Sequence, residues 1–153
     1  KDMPVLAENK KAYYNYEILE KFEAGISLIG QEVKSLKTRG VNLAGSYAVL
    51  KDGEIFWVGA KIPAYQIKNA PPDYNPERSR KLLLKKSEIK RLIGKTREKG
   101  LTLVPLKVYT KKGKIKLEFG LVKGKKKADK REKIKKRQVE REIRGALKRW
   151  RLE

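Results

Sequence analysis

The stretch LTLVPLKVYTKKGKIKLEFGLV, residues 101–122, decides how the chain is read. Leu101 to Tyr109 and Lys114 to Val122 are strand-like runs, and Lys111-Lys112-Gly113 between them supplies a turn, so the segment reads as a β-hairpin. The same design recurs toward the N-terminus. Ser46 to Leu50 and Glu54 to Val58 flank Lys51-Asp52-Gly53, and Asp-Gly is a strong hairpin signal. Further upstream Tyr14, Tyr16, Ile18, Glu20 and Phe22 alternate with Asn15, Glu17, Leu19 and Lys21, the period of a strand. Gly25-Ile26-Ser27-Leu28 reads as a second short strand.

Two helices fit between these strands. Ile29, Val33 and Leu36 recur at i, i+4 and i+7, one face of a helix ending near Gly40. Pro63, Pro71, Pro72 and Pro76 make residues 63–79 a long loop. Beyond it Ser87 can cap a second helix with Ile89, Leu92 and Ile93 inside, interrupted at Gly94 and ended by Gly100. Six or seven short strands with two short flanking helices predict a mainly β domain, a small closed or partly closed antiparallel barrel.

Past Val122 the composition changes. Residues 123–153 hold 15 basic and 5 acidic groups, no Phe or Tyr and one Trp, too little apolar matter for a core. We therefore divide the chain into a barrel domain, residues 1–122, and a basic tail, residues 123–153. Asp129 and Glu132 have the spacing of a helix start. Asp129→Lys133, Glu132→Lys136 and Glu140→Arg144 are acid-to-base i,i+4 pairs. Val139, Ile143, Leu147 and Trp150 form only a narrow apolar stripe. Such a helix is marginal in water, so the expected tail is disordered when free and helical on a polyanion that screens its charge.

Over 153 residues, 40 Lys+Arg oppose 18 Asp+Glu, a net charge of +22, and there is no Cys or His. The absence of Cys excludes disulfides, thiolate nucleophiles, thiolate zinc sites and iron–sulfur clusters. The absence of His removes the commonest general base and metal ligand. No cofactor or metal is expected, and an enzyme is disfavoured. The charge calls for a polyanionic partner, nucleic acid before a membrane surface. Pro4-Val5-Leu6-Ala7 is too short for a signal peptide. The run Ile55 to Ala60 falls far short of the roughly 20 residues that span a bilayer. A cytoplasmic protein without a membrane partner is expected.

Catalytic motifs are absent. Gly120-Leu121-Val122-Lys123-Gly124-Lys125 is one residue short of a phosphate loop and no Ser or Thr follows its Lys. Glu17, Glu20 and Glu23 do not converge, since Glu17 and Glu20 face opposite sides of a strand. Lys85-Lys86, Lys90-Arg91 and Lys95-Thr96-Arg97 lie outside the apolar face of the second helix, next to Arg78-Ser79-Arg80-Lys81, and this density favours a phosphate-binding stripe. Tyr13, Tyr14, Tyr16, Phe56 and Trp57 can stack bases or fill the barrel, and most are expected to fill it. Asn9-Lys10-Lys11 is either an RNA contact or a frayed basic lead-in. Structured RNA suits this pattern better than duplex DNA.

Six stretches carry a resemblance: Asn9-Lys10-Lys11-Ala12, Phe22-Glu23-Ala24-Gly25-Ile26, Gly30-Gln31-Glu32-Val33-Lys34-Ser35-Leu36, Asp52-Gly53-Glu54, Arg80-Lys81-Leu82-Leu83-Leu84 and Gly124-Lys125-Lys126 with Asp129-Lys130-Arg131. In order and spacing the chain closely resembles the small protein B family, the SsrA-binding proteins of bacterial trans-translation. The resemblance implies an OB-like β-barrel that binds the tRNA-like domain of transfer-messenger RNA as a monomer. It further implies entry into stalled ribosomes, with the tail against small-subunit rRNA at the decoding centre and mRNA channel, and rescue with tagging of the unfinished protein. By motif match Asn9, Glu23 and Leu83 are implied in RNA binding, with Lys10, Lys34, Ser35 and Lys81 as flanking additions. Gly124, Lys125, Lys126, Asp129, Lys130 and Arg131 match tail motifs tied to events on the ribosome. The alternative is a ribosomal or ribosome-assembly RNA-binding protein.

Overall fold

The computed structural model describes residues 4–97 and 100–125. The chain runs β1 (Val5–Glu8), α1 (Lys10–Asn15), β2 (Tyr16–Ile26), α2 (Gly30–Arg39), β3 (Tyr47–Lys51), β4 (Glu54–Val58), β5 (Arg80–Leu83), α3 (Lys86–Thr96), β6 (Leu101–Lys111) and β7 (Lys114–Gly124). All strand pairs are antiparallel. The sheet order β1-β6-β3-β4-β5-β2-β7 is closed by a further β6–β7 pairing, so six strands form a ring and β1 adds to β6. This is the mainly β, closed antiparallel architecture that the hairpins predict, and it is compatible with the OB-like form that the resemblance implies.

Both hairpins turn through two residues of positive φ, Asp52 (53°) with Gly53 (75°) and Lys112 (51°) with Gly113 (77°). Turns of this kind match the right-handed twist of the paired strands. α2 ends at Gly40, whose φ of 67° is left-handed and where a Cβ would stand 2.7 Å from Leu6 O. Only glycine fits there. Inside the ring lie Trp57, Phe119, Leu36, Ile55, Leu82, Leu92 and Leu117, all sealed from solvent. Phe22 and Phe119 face each other across β2 and β7 with ring centroids 5.5 Å apart. A smaller cluster of Ala12, Val104, Leu106 and Val122 seats α1 against the barrel.

Several elements differ from the sequence reading. β2 is one strand of 11 residues rather than two short ones, bulged between Ile18 and Glu20. α1 is a third helix, six residues long, too short for periodicity to reveal, and it takes Tyr14 out of the strand. Val5–Glu8 is a strand as well, ordered by pairing with β6. α3 starts at Lys86 after Lys85, so Ser87 lies inside it rather than capping it, and Gly94 does not interrupt it. β7 extends through Gly124, two residues past the composition boundary.

Candidate nucleic-acid interface

Alternation along β2, β6 and β7 sorts side chains into a core set and an outward set. Glu23 and Gly25 lie outward on β2, Lys116 and Glu118 on β7, and Lys107 and Lys111 on β6, with Tyr109 between these two lysines in the same depression but only 6 % exposed. The ladders place Glu23 opposite Glu118, Gly25 opposite Lys116 and Lys116 opposite Tyr109. On the other edge of β2, Gly25 pairs with Leu83 of β5. Register alone therefore brings Glu23 and Leu83, 60 residues apart in sequence, onto one face.

Leu83 is 54 % exposed, unusual for a leucine in a strand. With Gly25, Ile26, Lys114 and Lys116 it lines a cavity of about 360 Å³. A Cβ at position 25 would come within 3.3 Å of Leu83 Cβ and 3.7 Å of Lys116 Nζ, so glycine keeps the space between them open. An apolar floor flanked by lysines has the chemistry to hold a sugar or base with its phosphate beside it.

Glu23 is fixed rather than loose. Its carboxylate accepts a hydrogen bond from the Tyr109 hydroxyl and lies 3.2 and 3.4 Å from Lys111 Nζ. The Tyr109 hydrogen bond, with Lys111 and Lys116 nearby, holds the Glu23 carboxyl below the usual carboxylate range against its partial burial. Burial, and then the Glu23 carboxylate, push the Tyr109 phenol up, so the hydroxyl stays a donor. The result is an anionic acceptor of set orientation on a cationic face. Tyr109, Lys111 and Lys116 were missed in sequence, although the alternation of Lys107, Tyr109 and Lys111 was visible in the hairpin.

The remaining site residues separate. Lys81 is outward on β5 and pairs with Glu54 at 2.8 Å. Lys34 is exposed on α2 with its ammonium 6.0 Å from the centre of the Tyr65 ring. Ser35 is fully buried, its hydroxyl without a hydrogen-bond partner, and so reaches no surface. Asn9 is 5 % exposed. Its Oδ1 accepts from Ala12 N–H at 3.2 Å and caps α1, while its amide donates to Pro105 O at 2.9 Å. It thus acts by seating α1, which carries exposed Lys10. Gly124 ends β7 beside Tyr16, and Lys125 donates from its backbone to Asn15 O and from Nζ to Tyr13 O. This second group lies nine residues along β2 from Gly25, about 30 Å of strand at roughly 3.3 Å per residue. Lys126, Asp129, Lys130 and Arg131, and the helical pairing expected for the tail, lie outside the described residues.

The phosphate stripe expected along 78–97 loses Arg80 and Arg78 to an internal network, while Lys81, Arg91 and Arg97 stay exposed. Arg80 is fully buried, and its Nε donates to Glu32 Oε2 at 2.7 Å. Arg78 donates to both Glu32 oxygens and to Ser27 O. Arg91 and Lys95 both pair with Glu20. Lys85, Lys86 and Lys90 remain exposed. Glu32 also accepts from Ile29 N–H, the Tyr74 hydroxyl lies against it, and Arg80 reaches Ala60 O and Pro76 O. Burial alone would push the Glu32 carboxyl up, but Arg78, the Ile29 N–H and Arg80 together hold it below the usual range. This network clips the proline-rich loop to α2 and β5. Of the five aromatics expected mostly in the core, only Trp57 is buried, donating to Ser46 Oγ at 3.1 Å, whereas Tyr13, Tyr14, Tyr16 and Phe56 are half-buried. Among the described residues no three His, Asp or Glu side chains group as metal ligands.

Residues 6–149 match the family model described as SmpB protein. The chain is 54 % identical over 144 residues to the SsrA-binding protein of Carboxydothermus hydrogenoformans, covering 94 % of this chain and 96 % of that one. It is 51 % identical over 148 residues to that of Thermosipho africanus, covering 96 % and 99 %, and 51 % identical over 146 residues to that of Trichormus variabilis, covering 95 % and 94 %. A solved structure described as "tmRNA-SmpB: a journey to the center of the bacterial ribosome" superposes with a TM-score of 0.66 at 49 % identity, over 81 % of this chain and 86 % of that one. With a family match running from β1 through nearly the whole chain, and about half of the residues shared with its relatives, the chain belongs to the SmpB family.

Proposed function

We propose that this protein binds the tRNA-like domain of transfer-messenger RNA, the SsrA RNA, and delivers it to stalled bacterial ribosomes for trans-translation. The observation that carries this reading is the near full-length likeness, at about half identity, to proteins described as SsrA-binding proteins and to the solved tmRNA-SmpB structure. The face of Glu23, Gly25, Leu83 and Lys116 is the RNA surface we assign. It offers a cavity, lysines for phosphate and one oriented acceptor. Lys81 and Lys34 extend it at its margins, and Asn9 supports it indirectly by seating α1.

In this reading the protein places RNA and catalyses no reaction. The barrel, residues 1–122, holds the tRNA-like domain as a monomer in the cytoplasm. The tail, residues 123–153, acts from the α1 end at the decoding centre and in the mRNA channel, with Gly124, Lys125, Lys126, Asp129, Lys130 and Arg131 at its root. The roughly 30 Å of strand between the two groups keeps the two RNA contacts apart.

A gel-shift titration with the isolated tRNA-like RNA tests the site. Glu23→Arg and Leu83→Asn are expected to weaken binding, and unchanged affinity in both would refute the assignment. Truncation after Lys123 is expected to keep RNA binding while abolishing tagging on stalled ribosomes. Equal loss of both would make the tail part of the primary RNA site. Sequencing the RNA that copurifies separates this function from a ribosomal or assembly role: one enriched tRNA-like species supports it, and stoichiometric rRNA contradicts it.

A further inference from the structure

An anion on a phosphate-binding face carries a cost, because every phosphate that approaches is repelled by it. Glu23 is 39 % exposed and ionised, and Glu118 stands directly opposite it across the β2–β7 ladder. Oε1 of Glu118 is buried without a hydrogen-bond partner, with Lys21 Nζ at 3.9 Å. Val5, Glu23, Lys107, Tyr109, Lys111 and Glu118 together wall a depression of about 210 Å³. Val5 is 53 % exposed at its rim and offers an apolar surface to a planar ring. The depression is therefore small and partly apolar, with the Glu23 carboxylate in its wall and Lys107 and Lys111 beside it.

The groups of RNA can be sorted against that chemistry. Phosphate has no donor at neutral pH. A ribose offers one hydroxyl. Adenine and cytosine offer one exocyclic amino group beside an acceptor, and uracil offers one N–H between two carbonyls. Guanine alone presents two adjacent donors, N1–H and N2–H, on its Watson–Crick edge, and the two oxygens of one carboxylate match them. An ionised carboxylate has about four acceptor positions. Tyr109 takes one on Oε2. Lys111 lies over both oxygens at 3.2 and 3.4 Å, but it is 42 % exposed and can swing away.

We propose that Glu23, held by Tyr109 as its positioning residue, reads the Watson–Crick edge of one unpaired guanine in the bound RNA, Lys111 passing from Glu23 to a phosphate as the base enters. This inference rests on the reading of this face as the RNA surface and goes beyond it, since it turns a general RNA contact into base recognition. The acid thus has a specific task on a cationic face, which is to reject the acceptor edges that lysines alone would tolerate.

The test uses the full chain and a tRNA-like RNA in which each unpaired guanosine is replaced in turn by inosine, which lacks the N2 amino group. At one position inosine is expected to weaken wild-type binding roughly tenfold, the scale of a hydrogen bond to a charged group. The same replacement is expected to add little to Glu23→Gln. Tyr109→Phe, which keeps the packed ring, is expected to lose a few-fold in affinity, confined to that guanosine, with an unchanged melting temperature. If Glu23→Gln weakens binding but no inosine position is coupled to it, or only a 2′-deoxy substitution is, guanine reading is overturned and the RNA face stands. If Glu23→Gln leaves affinity unchanged, the site assignment falls with it.

Discussion

Glu32 and Glu23 are both carboxylates held below the usual range, Glu23 by the Tyr109 hydroxyl and then lysines and Glu32 by Arg78, the Ile29 N–H and Arg80, yet Glu32 is sealed from solvent while the Glu23 side chain is 39 % exposed. Glu32 accepts four hydrogen bonds, from Ile29 N–H, Arg80 and Arg78 twice, which fills its acceptor positions, and the Tyr74 hydroxyl lies against it at 3.1 Å. Glu23 accepts from Tyr109 and a half-exposed lysine and keeps acceptor capacity directed outward. A low carboxyl pKa therefore does not separate structure from function in this molecule. Unspent acceptor capacity at an exposed, oriented group does.

The largest effect expected from this contrast is on stability at Glu32. Glu32→Ala leaves Arg80 charged and unpaired in the interior, a change that costs about 3–5 kcal/mol in comparable buried pairs. Thermal or urea unfolding measures it, and a loss near zero would mean that the network is not a clamp. Acid should find the same weak point. The folded pKa of Glu32 is depressed below its reference of 4.5, so its contribution is full above that value and is lost as the pH falls through the folded one. Unfolding measured between pH 6 and pH 3 should show this loss, and Glu32→Gln should flatten part of the slope.

Glu23→Gln is the converse. RNA affinity is expected to fall between about tenfold and a hundredfold, the range for hydrogen bonds to a charged group. Stability should change by less than about 1 kcal/mol, as for exposed pairs. A large melting shift would mean that Glu23 is structural and would erase the contrast with Glu32. The smallest effect belongs to Lys81, whose bridge to Glu54 is exposed on both sides. Lys81→Ala should cost at most a few tenths of a kcal/mol and lower the salt dependence of RNA binding by about one phosphate contact. Calorimetry and a salt titration measure these two quantities.

The sequence reveals this molecule unevenly, for physical reasons. The two hairpins were legible because Asp52-Gly53 and Lys112-Gly113 are turn chemistry confined to adjacent residues. α2 was legible because its apolar residues repeat and Gly40 stops it. β1 and α1 were not, since four and six residues carry no usable period and are ordered by contacts with β6. Arg80 looked like one more solvated cation in Arg78-Ser79-Arg80-Lys81 because its partner Glu32 lies 48 positions away. Ser35 was chosen because it lies beside Lys34 in the matched motif, but the helix turns it into the core with Glu32 and Leu36 while Lys34 stays exposed. Glu23 and Leu83 emerged from the motif resemblance. Their meeting through Gly25, and the support from Tyr109 and Lys116, needed the register of the sheet.

The most direct test follows backbone and side-chain NMR shifts of the full chain as the isolated tRNA-like RNA is added. The account predicts perturbations centred on Glu23, Gly25, Leu83, Tyr109 and Lys116, with Glu32, Tyr74 and Arg80 unmoved. Perturbations centred on the proline-rich loop and the Glu32 network, with the Glu23 face silent, would contradict it.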